Sequence, residues 1–368
     1  MIRILLVALL PIIYVYLRIR KLLADTRYKM GFTVLYIILV LVFPLTEVLS
    51  HGGITWGKPL LLFGLYAVPF LLYLFLLLVL LDIGRGVTGW LKLVSPAVWQ
   101  RRKVRLLTVC FLVLLSMGIV VMGKINLDWM RTKEFNIGVS GYSSPLKQLK
   151  IVLAADLHLE RMTEKHFLAK FVGKVNELNP DIVLLPGDIL EGHDGETEGT
   201  DFDVQLRRIN AKYGVFAAPG NHDDYDGDNA VAFFEKAGIK VLADRAIIVN
   251  NSFYLVGRND WRSKTRKPLD ELLLELSADL PIIMMDHRPF NLQEVAKRKV
   301  AIQVSGHTHN GQLFPVNFIV AAIYELSWGY RKIRNTHFFV TSGVQIWGPP
   351  VRTTGHSEIV VINVNFTK

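Results

Sequence analysis

The 368-residue chain holds one cysteine, Cys110, set within an apolar run. A lone cysteine excludes an intrachain disulfide framework, and its place in an apolar run argues against thiolate ligation of a metal. Acidic residues are nearly missing from the first third: residues 1–130 carry 4 Asp+Glu against 14 Lys+Arg, which supplies the whole net charge of +10. Residues 131–368 carry 28 of each sign and so lack the clustered basic excess that a nucleic-acid-binding surface needs. No nucleic-acid partner is expected. Internal repeats and low-complexity tracts are also lacking.

Apolar sequence, in contrast, is abundant: 51% of the residues are hydrophobic, too many for a purely soluble protein. The runs 31–50, 59–81 and 106–122 are each long enough to cross a hydrocarbon core of about 30 Å. Buried helices of a soluble core are the alternative, and length and lack of charge weigh against it. The run 4–17 is shorter, about 21 Å at helical rise. A signal peptide competes there, but no small-x-small cleavage site follows and Arg18, Arg20 and Lys21 come directly after, which favours a retained helix. The connection 18–29 holds five basic residues and 85–105 holds six with none acidic, whereas 51–58 holds one lysine. The positive-inside rule then puts the first and third connections in the cytoplasm. A multi-pass cell-membrane protein with residues beyond about 124 on the extracytoplasmic side is expected.

Residues 124–149 read as a linker and a first edge strand. From 150 onward, short apolar runs rich in β-branched residues alternate with amphipathic stretches at 164–178 and 229–237, and strand-only segments intervene. The expected fold class is α/β, a two-sheet β-sandwich flanked by helices, preceded by an all-α transmembrane region of about four helices.

Chemistry gathers at the ends of those apolar runs. The stretch 304–312, V-S-G-H-T-H-N-G-Q, sets His307 and His309 two residues apart after the run 300–304. In a strand that spacing aims both imidazoles to one side, and paired neutral imidazoles suit a transition metal. Taken alone, a polar turn with two solvated rings explains it equally well. Four further motifs follow apolar runs upstream: Asp156-Leu-His158, Gly187-Asp188, Gly220-Asn221-His222-Asp223, and His287 within Asp-His-Arg-Pro. Ligands taken from several strand ends are how an α/β scaffold builds a site on one rim of its sheet.

This ordered set, D-x-H, G-D, G-N-H-D, an isolated His and G-H-T-H, resembles the calcineurin-like metallophosphoesterase superfamily. The G-H-T-H-x-G-Q form after several apolar helices resembles its membrane-associated bacterial branch. The resemblance implies that Asp156, His158 and His309 bind one divalent metal and that Asn221, His287 and His307 bind a second. Asp188 would bridge the two, and His222 would stand near the leaving group, oriented by Asp223 or another carboxylate. A phosphate ester repels an attacking hydroxide, and its uncatalysed hydrolysis calls for up to about 10²¹-fold acceleration. Two cations about 3.5–4 Å apart offset that repulsion, so a bridging hydroxide attacking phosphorus in line is the expected mechanism. Asp, Asn and His donors without thiolate suit manganese, iron or zinc.

His51, His166, His193, His337 and His356 match no motif, and surface or supporting positions are expected for them. Asp223, Asp224, Asp226 and Asp228 lack the Ca²⁺-loop spacing and read as a cap on the following helix. Two basic loops, Arg258 to Lys267 around Trp261 and Trp328 to Lys332, read as solvated faces or as contacts to a phosphate or lipid headgroup. The function expected is a membrane-anchored phosphodiesterase or pyrophosphatase on an envelope or lipid-linked phosphate ester, with membrane lipids as partners. Alternatives are a phosphomonoesterase and a non-catalytic, metal-stabilised binding or sensing module.

Overall fold

A computed structural model describes residues 2–24, 26–51, 58–160, 163–191, 200–223 and 228–367. The chain divides into two compact units, residues 1–125 with 348–353, and residues 126–347 with 354–368.

The first unit is helical, over Ile2–Leu22, Tyr28–His51, Lys58–Trp90 and Arg102–Asp128, with a short turn of helix at Pro96–Gln100. Three of these helices are long and apolar enough to cross a membrane. Each runs past the apolar stretch expected from sequence, over Tyr28–His51, Lys58–Trp90 and Arg102–Asp128. Arg18 forms an ion pair with Asp82, and Asp82 also accepts a hydrogen bond from Tyr14 at 2.7 Å. Val15, Ile19, Leu22, Leu74, Leu78 and Leu112 pack together inside this unit, while Leu35, Leu80 and Leu114 point outward and are exposed. An apolar exterior is what a lipid solvent requires.

The second unit stacks two six-stranded sheets. The first contains β1 (Arg131–Ser140), β2 (Gln148–Leu153), β3 (Ile182–Pro186), β4 (Val215–Ala218), β5 (Ile239–Val241) and β12 (Glu358–Thr367), in the order β1-β12-β2-β3-β4-β5. The second contains β6 (Arg245–Val249), β7 (Phe253–Gly257), β8 (Ile282–Met285), β9 (Val300–Ser305), β10 (Gly329–Ile333) and β11 (Thr336–Val340), in the order β10-β11-β9-β8-β7-β6. The run β2 to β5 is parallel, as is β7-β8-β9-β11. Parallel strands buried on both faces read as continuous apolar runs, and period-two geometry decides which way each residue faces. Ile151, Leu153, Ile182 and Leu184 enter the seam between the sheets with Ile283, Met285, Ile302 and Val304. Their neighbours Val152, Val183 and Leu185 face the helix Lys165–Glu177. That helix offers Leu168, Phe171, Val172 and Val175, an i, i+3, i+4, i+7 stripe, all buried. Just past its end Asn179 is left-handed at φ 47°, before Pro180. Each such buried side chain contributes about 1.5–3 kcal/mol. The parallel strands all point the same motif-bearing ends toward one rim.

Candidate metal centre

Asp156 and His158 follow β2, Asp188 follows β3, Asn221, His222 and Asp223 follow β4, His287 follows β8, and His307 and His309 follow β9. The backbone there leaves the strands abruptly. Asp156, His158, Asp188, His307 and His309 all have positive φ, between 41° and 71°. A non-glycine residue held so costs about 1–3 kcal/mol, and such positions concentrate at functional sites. Gly187, at φ 88°, admits the His287 ring where any Cβ would collide with it. A Cβ on Gly220 would likewise strike Asp188.

The structure brings the motif residues into adjoining groups of donor atoms, each within 4.8 Å: Asp156, His158 and His309 in one, Asp188, His287 and His307 in another. His158 Nε2 lies 3.3 Å from His309 Nε2, and His309 Nε2 lies 3.7 Å from Asp156 Oδ1. His287 Nε2 stands 3.0 Å from Asp188 Oδ2, and His158 Nε2 stands 3.9 Å from that same oxygen, so Asp188 faces both groups. Its other oxygen accepts the His222 amide at 2.9 Å. The His287 Nδ1 sits 2.8 Å from the Pro186 carbonyl, which fixes Nδ1 as the protonated nitrogen and turns Nε2 inward. The Asn221 Oδ1 is buried and has no hydrogen-bond partner among the described residues. A buried amide oxygen left so costs free energy unless something positive meets it.

The electrostatics point the same way. Burial works to lower the His287 pKa, yet Asp188 and Asp156 overcome it and raise it to about 10. Burial works to raise Asp188, yet the charge of His287 and of His158 holds it well below the usual carboxylate range. Burial lifts Asp156 to about 6 against the pull of His287. Burial and the nearby His287 charge press His307 down to about 2, which keeps that ring neutral and its lone pair open. The opposite shifts of His287 and Asp188 share one cause, the demand of a buried carboxylate for positive charge, and a divalent cation would meet that demand. The donor set and the orphaned Asn221 oxygen fit a resident metal.

Of the two alternatives expected beside His222, Asp223 or another carboxylate, the structure has the second. The carboxylate beside His222 is Glu191, 2.9 Å from Nδ1, and its second oxygen is hydrogen-bonded to His158. Those two bonds, working against burial, draw Glu191 down to about 2. Asp223 is occupied instead by the main chain, accepting the amides of Asp188, Ile189, Leu190 and Gly220 at 2.6–2.9 Å. Of the acidic residues expected to cap the next helix, Asp224, Asp226 and the side chain of Asp228 lie outside the described residues. In the sequence Glu191 opens an acidic stretch, 191–203, and belongs to none of the motifs above. Its signal is the spacing G-D-x-x-E, which carries it three residues past Asp188.

Among the remaining histidines, His337 is buried and bonded to Tyr330 and the Gly138 carbonyl, a core residue and not a surface one. His356 is half-buried, His166 is exposed, and the His193 and His51 side chains lie outside the described residues. In the basic loop, Arg258 and Arg266 both turn inward onto Asp286, leaving Arg262 and Lys264 exposed.

The family model for calcineurin-like phosphoesterases matches residues 149–311, a span that includes the seven candidate ligands, His222 and Glu191. An uncharacterized metallophosphoesterase of Aquifex aeolicus is 30% identical over 226 residues, covering 59% of this chain and 85% of that protein. The chain belongs to the calcineurin-like phosphoesterase family. A Campylobacter jejuni metallophosphoesterase is 28% identical over 378 residues, 97% of this chain and 95% of its own length. One from Helicobacter pylori is 28% identical over 225 residues, and the alignment spans 60% of that relative. Calcineurin-like phosphoesterases are metal-dependent hydrolases, so membership implies a phosphate-ester substrate.

Proposed function

We propose that residues 150–368 form a two-metal phosphohydrolase acting on a phosphodiester or pyrophosphate of an envelope or lipid-linked compound. Asp156, His158 and His309 would hold one divalent cation, Asn221, His287 and His307 would hold the other, and Asp188 would serve both. The observation that carries this reading is the pair of three-donor groups meeting at Asp188, all buried but the half-buried His307, with no Lys or Arg bonded to Asp156 or Asp188 among the described residues. Manganese, iron or zinc suits these donors. When bound, such a pair supplies positive charge to the phosphoryl oxygens and makes an attacking water more acidic.

The protein's own groups do the rest. Asp223 ties the turn after β3 to the turn after β4 through four amides, and so fixes Asp188 relative to His222. Glu191 holds His222 by Nδ1, which leaves Nε2 to give its proton to the departing alkoxide. Lipid linkage is inferred from three helices able to span a membrane, more than a tether needs. The excess of basic residues in the connections 18–29 and 85–105 supports a multi-pass chain whose hydrolase unit is extracytoplasmic.

The test is metal analysis of the purified full chain, together with turnover on soluble chromogenic diesters and monoesters and on extracted envelope lipids. About two divalent ions per chain are expected, with diester or lipid turnover exceeding monoester turnover. His222→Ala should lower turnover roughly 10²–10⁴-fold while retaining its metal. Bound metal without turnover on any ester would mark a binding module, and metal loss in His222→Ala would make that residue a ligand. A reporter fused after Lys368 that is active only in the cytoplasm would reverse the orientation.

A further inference from the structure

The helix Val316–Ile323 reads V-N-F-I-V-A-A-I, apolar at every position but one, and none of its residues is buried. Phe318 is 64% exposed, Ile319 and Ile323 60% each, and Phe314 just before the helix 46%. Soluble surfaces scatter such side chains singly, whereas a contiguous set marks a contact.

This helix is fastened to the candidate metal centre at both ends. At its start, Asn317 packs so tightly on Gly311 that a Cβ there would lie 2.6 Å from the Asn317 Cα. At its far end the Tyr324 ring stands 6.0 Å from His307, and Thr308 donates a hydrogen bond to the Ser327 carbonyl at 2.5 Å. Whatever meets the helix is thereby set at a fixed distance from the loop that carries His307 and His309.

The flanking residues indicate what it meets. Residues 313–335 carry Arg331, Lys332 and Arg334 against Glu325 alone. All three basic side chains are exposed, Arg331 reaches back to the Glu325 carbonyl just past the helix at 3.0 Å, and Tyr330 is exposed beside them, whereas Trp328 is half-buried and bonded to Glu358. An apolar surface beside aromatic and basic residues matches the boundary between acyl chains and anionic headgroups. At about 12 Å the helix is far too short to span a bilayer and suits lying in its interface. The same chain carries three helices able to cross a membrane, so a bilayer is at hand.

We propose that Phe314, Phe318, Ile319 and Ile323 dip into an anionic lipid bilayer, with Arg331, Lys332 and Arg334 on its headgroups, and so hold the His307–His309 loop at the membrane surface. This docking stands whether or not the hydrolase reading holds, because its test reads no turnover.

The experiment uses the full chain with Cys110→Ser, one copy per nanodisc of phosphatidylcholine and phosphatidylglycerol. An environment-sensitive fluorophore is attached at Ile319→Cys, with Phe318→Cys as a second position and exposed Lys297→Cys as the aqueous reference. Brominated acyl chains should quench the labels at 319 and 318 about twofold or more while iodide leaves them nearly unchanged, and the reference should behave the opposite way. Quenching of those labels by iodide and not by brominated lipid would overturn the proposal, because the face would be in water. Quenching by neither would also overturn it, because protein would be covering the face.

Discussion

Two clusters of buried acid lie in the globular unit, and they are neutralised by different means. Asp286 is met by Arg258 at 3.0 Å and by Arg266 at 2.7 and 3.2 Å. Arg288 closes on Asp260 nearby at 2.9 Å, and the Arg266 guanidinium lies 5.0 Å from the Trp261 ring centre. Guanidinium groups keep their charge at every accessible pH, so this cluster is complete in itself. Asp156 and Asp188 are met by the rings of His158, His287 and His309, and imidazole holds a positive charge or a lone pair according to what arrives. The contrast separates a group of side chains that braces the fold from one prepared to receive a cation.

Crossing the two clusters by mutation tests that contrast. Asp188→Asn should lower turnover on the order of 10³-fold or more and deplete bound metal, as a shared electrostatic partner would. A variant that keeps two ions and most of its turnover would place the shared role elsewhere. Asp286→Ala should do the reverse, leaving metal content per folded chain unchanged while Arg258 and Arg266 stay behind uncompensated. The expected cost is about 3–5 kcal/mol, read from denaturant unfolding of the full chain. Loss of metal without loss of stability would erase the distinction. The smallest effect is expected from Glu191→Gln, roughly 10–100-fold, persisting at saturating manganese if positioning of His222 dominates. Full rescue by excess metal would show that Glu191 acts only through His158.

Much of this was legible in the sequence because buried parallel strands leave a strong imprint. The runs ending at Asp156, Asp188, Asn221, His287 and His307 are apolar on both faces, and the strands are found beneath them. What the sequence concealed depends on long-range geometry. Nothing local says that β12 inserts between β1 and β2, or that Asp223 spends its oxygens on four amides. Arg258 and Arg266 look alike with Arg262 and Lys264 until Asp286 is seen between the first two. Glu191 is separated from His158 and His222 by 33 and 31 positions, and only the fold closes those gaps. The helix at 316–323 escaped notice because eight mostly apolar residues after a motif look like buried sequence.

The rim that gathers the donors is shared between the two sheets. Asp156, His158, Asp188 and Asn221 leave strands of one sheet, and His287, His307 and His309 leave strands of the other. Each proposed ion would therefore act as a rivet through the sandwich, clamping two layers otherwise held face to face by aliphatic contact. Chelation should loosen the mouth of that joint first, and amide exchange at the ends of β3 and β9 should quicken before it does at the far end of the seam.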